Sequence, residues 1–114
     1  MTDYKNIDHK DRKKESDLIF KKYPKSIPII IKTNNNETPK LNKHKYIVPN
    51  NLLFAHFFNI IRNQLNLPKE KALFFFTNKN TLLSSAMQLS VIFEKYKSED
   101  GFLYLFYSLE NVFG

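Results

Sequence analysis

The chain contains no cysteine among its 114 residues. That excludes disulfide staples, a thiol nucleophile and thiolate metal ligands together. It has only two glycines, Gly101 and Gly114, so no Gly-rich phosphate loop can be built. His9, His44 and His56 lie far apart, and none stands at metal-ligand spacing from another histidine. No stretch approaches the roughly 18 apolar residues that span a bilayer. The opening Met1-Thr2-Asp3-Tyr4-Lys5 lacks the apolar run of a secretion signal. A protein made in the cytosol and soluble there is the expectation, and a reducing compartment is compatible with it.

What is present describes one small domain. Hydrophobic residues make up 42% of the chain and aromatics 15%. Large rings bury much area per residue, which helps a domain of this size reach a stable core. The formal net charge is +7. Residues 1–25 hold eight Lys/Arg against five Asp/Glu, and residues 26–114 hold ten against six. The charge is thus spread along the chain and not confined to a basic tail, as a well-solvated surface requires. Basic residues interleaved with aromatics can bind single-stranded nucleic acid. Here the aromatics fall mostly at core-facing positions, so no nucleic-acid partner is expected.

Residues 1–25 are polar and charged. Ile7, Glu15, Leu18, Ile19 and Tyr23 are spaced for one or two brief helices, ended by Pro24. Ile27-Pro28-Ile29-Ile30-Ile31 reads as a strand, with Pro28 at its start or facing an unpaired edge. The Asn-rich run from Thr33 to Pro39 reads as a loop, and Tyr46-Ile47-Val48-Pro49 as a second strand. Leu53, Phe57, Ile60, Ile61 and Leu65 then recur at helical intervals, with Asn50 or Asn51 as cap and Pro68 after the end. Ala72-Leu73-Phe74-Phe75-Phe76-Thr77 reads as a strand buried on both faces. Met87, Val91, Ile92 and Tyr96 suggest a short helix with Ser84 or Ser85 near its start. Phe102 to Tyr107 is an aromatic strand introduced by the turn Glu99-Asp100-Gly101. The order predicts an α+β fold: a mixed four-stranded sheet wrapped on one helix, the β-grasp plan of ubiquitin. Residues 26–114 would form that unit and residues 1–25 an N-terminal helical extension.

No nucleophile–base pair or metal constellation is visible, so an enzyme is not expected, nor a metal or a cofactor. A set of ordered strings carries more: Lys21-Lys22-Tyr23-Pro24, Ile27-Pro28-Ile29-Ile30, Lys45-Tyr46-Ile47-Val48-Pro49, Ala72-Leu73-Phe74-Phe75-Phe76, Glu99-Asp100-Gly101-Phe102-Leu103-Tyr104 and a closing Phe113-Gly114. In this order they resemble the GABARAP-type family of autophagy modifiers, ubiquitin-like proteins conjugated to phosphatidylethanolamine. The resemblance covers about Arg12 to Gly114.

The resemblance implies that Gly114 is activated with ATP, passed between activating and conjugating enzymes, and joined to the lipid amine on autophagic membranes. A glycine terminus has no Cβ, so it threads narrow channels and leaves its carbonyl open to attack. A deconjugating cysteine protease is a further implied partner, and the protein is expected as a monomer before lipidation. It would be cytoplasmic, moving to the autophagosomal membrane when lipidated. Cargo receptors and adaptors would bind through an aromatic-x-x-aliphatic peptide added as a strand to the sheet edge. Positions matching the aromatic's pocket are Glu15, Ile19, Pro28, Ile30, Lys45, Ile47 and Phe102. Those matching the aliphatic's pocket are Tyr46, Val48, Pro49, Leu52, Phe57 and Ile60. The alternation along the strand directs Lys45 and Ile47 to one side, Tyr46 and Val48 to the other. Arg62 matches a basic residue that meets acidic flanks of the peptide.

The chain departs from the family pattern at Ser26, where Arg is usual, and at Gln64, where a basic residue is usual. His9 stands where Phe is usual, with Ile7 expected to substitute in packing. The stretches 34–39 and 78–85 also diverge. Nothing follows Gly114 in this sequence, which fits either a gene that encodes the ready-made form or a chain trimmed to mimic it. Two alternatives share the fold: a modifier joined to a protein lysine, and a peptide-binding adaptor that is never conjugated.

Overall fold

The computed structural model describes residues 9–33 and 40–109. Ile7, Phe113, Gly114 and the 34–39 loop lie outside the described residues. The element order is α1 (His9–Lys22), β1 (Ser26–Lys32), β2 (Lys45–Pro49), α2 (Phe54–Leu65), β3 (Phe74–Thr77), α3 (Leu89–Tyr96) and β4 (Leu103–Ser108). The β-branched run 27–31 gives β1, whose five interior residues are all buried. β1 pairs antiparallel with β2, placing Ser26 opposite Pro49 and Ile30 opposite Lys45. On its other side it pairs parallel with β4 from Ile29 opposite Leu103 onward. β3 closes the sheet antiparallel to β4, giving the order β2-β1-β4-β3. This is the mixed sheet and α+β fold that the sequence predicts.

Pro28 is tolerated in a strand flanked on both sides for a specific reason. The Ile31 N–H donates to the His44 carbonyl at 2.8 Å, so odd-numbered residues of β1 turn their backbone groups to β2 and even-numbered ones to β4. The N–H that Pro28 lacks would face the β4 side, one residue before that ladder begins at Ile29.

Alternation also splits the core. Ile27, Ile29 and Ile31 join Tyr46, Val48, Leu103, Leu105 and Tyr107 on one face, covered by Phe54, Phe57 and Ile61 of α2 and Leu89, Ile92 and Tyr96 of α3. On the opposite face Ile30 and Phe102 form a smaller cluster with Ile19 of α1, and Tyr104 packs against it. Within the larger core the Phe54 and Phe75 rings meet edge to face at 5.3 Å.

Several local expectations give way to tertiary contacts. The residue flanking α2 is Leu53, with no side-chain cap, because the first helical N–H groups find backbone acceptors elsewhere. Phe54 donates to the Met87 carbonyl at 2.8 Å and Ala55 to the Ser85 carbonyl at 3.1 Å. Asn50 and Asn51 are therefore not needed as caps. The α2 helix ends as expected, at Asn66 in the left-handed conformation (φ 56°). Ile60 projects from the exposed side of α2 and Val91 from that of α3, and Leu53, just before α2, is exposed as well. Ser84 lies ahead of α3, whose N-cap is Gln88, and its Oγ accepts a hydrogen bond from the Ala86 N–H in the preceding turn. β3 begins two residues later than its apolar run. Its outer edge is covered by residues 81–83 through a Phe76–Leu82 bridge and the Leu83 N–H to Phe75 carbonyl bond.

The acidic pair before β4 does more than turn the chain. Asp100 is 1% exposed. Its carboxylate accepts from Arg12 Nε at 2.9 Å, from the Tyr104 hydroxyl at 2.5 Å and from the Phe102 N–H at 3.0 Å. Ser16, also fully buried, donates its hydroxyl to the Asp100 carbonyl at 2.5 Å. This cluster fastens α1 to the start of β4. Gly101 sits beneath it at φ +88°, where a Cβ would lie 2.3 Å from Ser16 Oγ.

Asp100→Ala should cost about 2–4 kcal/mol in urea denaturation, below the fully buried range because Arg12 is partly solvated. Gly101→Ala should destabilise by at least about 1 kcal/mol, from the positive φ and the clash with Ser16.

Candidate functional site

β2 is an edge strand. Its even-numbered residues turn their backbone groups to β1, because Val48, Tyr46 and His44 oppose Ile27, Ile29 and Ile31. The N–H and C=O of Lys45 and Ile47 therefore point away from the sheet, with Pro49 ending the row because it has no N–H. Side chains alternate in the complementary sense. Tyr46 and Val48 are buried in the larger core, while Ile47 is 44% exposed on the α1 side.

The residues matched to an aromatic pocket gather on that side. Ile19, Pro28, Ile30 and Phe102 are buried between α1 and the sheet. Lys45 forms an ion pair with Glu15 of α1 across the gap, with both side chains a third or more exposed. Ile47 is the exposed apolar member of the set. A pair this solvated contributes about 0–1 kcal/mol, so it bridges α1 and β2 at little cost to parting.

The residues matched to an aliphatic pocket divide by depth. Phe57 is fully buried, its ring edge-on to Tyr46 at 5.7 Å. Tyr46 donates its hydroxyl to Gln64 Oε1 at 2.8 Å, so Gln64 fixes the ring where the usual basic residue is absent. Leu52 is half-buried against the core, and Pro49 and Ile60 are exposed. Leu52, Pro49 and Ile60 are therefore the members of the set with accessible surface, and Tyr46, Val48 and Phe57 are buried. Arg62 does not stand free beside them: its Nη2 donates to the carbonyls of Pro68 at 2.8 Å and Lys69 at 3.4 Å.

A groove of about 640 Å³ lies at the end of β2, lined by Lys22 at the end of α1, by Tyr23, Pro24 and Lys25 of the following turn, by Ser26 at the start of β1, and by Ile47, Val48 and Pro49 of β2. Ser26 donates its hydroxyl to the Tyr23 carbonyl at 2.7 Å, so this departure from the usual Arg acts locally on the turn. The string Lys21-Lys22-Tyr23-Pro24 carries the family resemblance, but its spacing alone assigns it to no site. An exposed Tyr-Pro between lysines was the available signal. By sequence Asp100 is likewise only a turn residue, because nothing local pairs it with Arg12.

Among the described residues no cluster of His, Asp and Glu is arranged to hold a metal, and no helix is long and apolar enough to cross a membrane.

The sequence profile of the family described as "Autophagy protein Atg8 ubiquitin like" matches residues 11–114. The chain belongs to the Atg8 family. It is 45% identical over 104 residues to autophagy-related protein 8a of Arabidopsis thaliana, covering 90% of this chain and 84% of that one. With autophagy-related protein 8 of Pichia angusta it shares 44% over 104 residues, 90% of this chain and 82% of that one. The crystal structure of Trypanosoma brucei ATG8 superposes with a TM-score of 0.85 at 34% identity, covering 95% and 94% of the two chains. Plasmodium falciparum Atg8, solved with a peptide of P. falciparum Atg3, gives 0.85 at 30% identity, covering 97% and 98%. The chain is thus an autophagy-related ubiquitin-like modifier, with the fold of the Atg8 family.

Phe57→Ala should lose about 3–5 kcal/mol of stability, and Ile60→Ala less than about 0.5 kcal/mol, although both were matched to one pocket. Urea melts of the two variants compare them directly. Burial raises the Tyr46 hydroxyl above its ordinary value of 10.0, and the charge of Tyr107 adds to this. Tyr107 is raised by burial as well, partly offset by a backbone hydrogen bond from Leu41. The folded state then holds these protons more tightly than the unfolded one. This stabilisation is complete below about pH 10 and is lost as pH rises through the raised values. Thermal melts taken across that range should show a steeper decline for wild type than for Tyr46→Phe.

Proposed function

We propose that this Atg8-family protein is joined through Gly114 to phosphatidylethanolamine on autophagic membranes and there recruits receptors and adaptors carrying an aromatic-x-x-aliphatic motif. The observation that carries the reading is the family match through residue 114, which takes in Phe113 and Gly114. In this reading residues 26–114 are the ubiquitin-like body and residues 1–25 its N-terminal extension. The protein is a substrate of activating and conjugating enzymes and of a deconjugating cysteine protease, not itself a catalyst. It is cytoplasmic until lipidated and autophagosomal afterwards.

Supporting the recruitment half is the outward backbone of Lys45 and Ile47 on β2. An extended peptide can hydrogen-bond to this edge, as strand addition requires. Its aromatic would enter beside Ile47 as the solvated Lys45–Glu15 pair parts, over Ile19, Pro28, Ile30 and Phe102. Its aliphatic would settle on Leu52, Pro49 and Ile60. Arg62 would leave the Pro68 carbonyl to meet an acidic flank. The P. falciparum relative, held with an Atg3 peptide, is consistent with peptide capture by this fold.

Incubation with the conjugation enzymes, ATP and phosphatidylethanolamine liposomes should yield a lipidated product that Gly114→Ala abolishes. Absence of product from wild type, while a relative is lipidated alongside, would sink the lipid reading. A product on a protein lysine would assign the second conjugation chemistry instead. By calorimetry, Leu52→Ala or Ile47→Ala should weaken an aromatic-x-x-aliphatic peptide by about 1–3 kcal/mol. Unchanged affinity would remove the pocket assignment.

A further inference from the structure

The two anchors of an aromatic-x-x-aliphatic peptide leave the groove at the end of β2 unused. Its walls are mostly apolar: Tyr23 and Pro24 on the turn after α1, and Ile47 and Pro49 on β2, all four exposed. Two of its polar members are already engaged. Ser26 donates its hydroxyl to the Tyr23 carbonyl at 2.7 Å, and the Lys22 ammonium lies 5.5 Å from the centre of the Tyr23 ring. Ser26 is opposite Pro49 across the strands, and as an even-numbered residue of β1 it faces the same side as Ile30, towards α1. The groove therefore opens on the α1 side of the sheet and shares Ile47 with the residues matched to the aromatic pocket.

Strand addition fixes which peptide residue meets this groove. With its aromatic level with Lys45 and Ile47 and its aliphatic beyond Pro49 at Leu52, the peptide runs parallel to β2. Side chains of an extended chain alternate between faces and advance about 3.3 Å per residue. The aromatic points to the α1 side. The first spacer and the aliphatic then point to the α2 side. The second spacer returns to the α1 side about 6.6 Å beyond the aromatic, level with Pro49 and Ser26. We infer that the groove is a third subsite, which takes a large apolar side chain at the second spacer position. The inference rests on the peptide-capture reading of the β2 edge and deepens it: the motif this chain reads is aromatic-x-apolar-aliphatic. A carboxylate at that position would lie among a tyrosine ring, an isoleucine and two prolines, and would give up water for little in return.

The test is calorimetric titration of the full chain with synthetic peptides of constant flanks and the core Trp-Ala-Z-Leu, where Z is Ala, Leu, Phe or Glu. Leu or Phe at Z should bind about fivefold to tenfold more tightly than Ala, as partial burial of such a side chain implies, and Glu should bind no more tightly than Ala. Tyr23→Ala should remove the preference for Leu while changing affinity for the Ala peptide by less than about twofold. Ser26→Lys should weaken the Leu peptide and strengthen the Glu peptide, because it places an ammonium in the groove. Moving the Leu to the first spacer, as Trp-Leu-Ala-Leu, should give an affinity that Tyr23→Ala leaves unchanged. Equal affinity for Ala, Leu and Phe at Z would overturn the third subsite while leaving the two-anchor reading intact. A first-spacer Leu that depends on Tyr23 would overturn the assigned face, and tightest binding by Glu would overturn the assigned chemistry. Loss of binding by every peptide in the series would instead sink the peptide-capture reading, and this inference with it.

Discussion

The structure depends on a strand that is used four ways at once. β1 is hydrogen-bonded on both edges and buried on both faces. Its odd-numbered isoleucines build the core under α2 and α3, while Ile30 holds the smaller cluster under α1. A one-residue slip would exchange the two faces, so the register with β2 and β4 is strongly fixed. The edge strand inherits that register. Tyr46 and Val48 must point into the core, and Lys45 and Ile47 must therefore offer both their side chains and their backbone groups to the outside.

The two faces of the sheet are held by different chemistry. On the α2 and α3 side the hold is dense and apolar, with aromatic rings edge to face. On the α1 side few apolar residues are buried, and a polar cluster about Asp100 supplies much of the hold. A buried carboxylate with an arginine, a tyrosine hydroxyl and a backbone N–H around it is satisfied. Its cost would be severe were any partner withdrawn. The α1 helix is thus positioned by a few directional bonds and a small apolar contact.

Much of the Atg8 fold was legible in the sequence, because periodicity and turn chemistry are local signals. The isoleucine run and the helical spacing from Phe57 to Leu65 appear where their patterns place them, and the Phe-rich third strand from Phe74 onward. Expectations missed where a distant backbone replaced a local partner. The α2 N-terminus is satisfied by the carbonyls of Ser85 and Met87 instead of an asparagine side chain. Leu53, Ile60 and Val91 share the periodic pattern of their helices yet face outward, because an apolar stripe on a short helix is wider than the surface its neighbours cover.

The sequence by itself determined the fold class, the identity of the edge strand's residues and the family, since each rests on the order and spacing of side chains. The tertiary structure alone decided depth and company. It buried Phe57 while leaving Ile60 exposed, engaged Arg62 with the 68–69 backbone, and joined Arg12 to Asp100 across 88 positions. Packing brings together residues that no local pattern relates, and burial depends on what the rest of the fold places above each side chain.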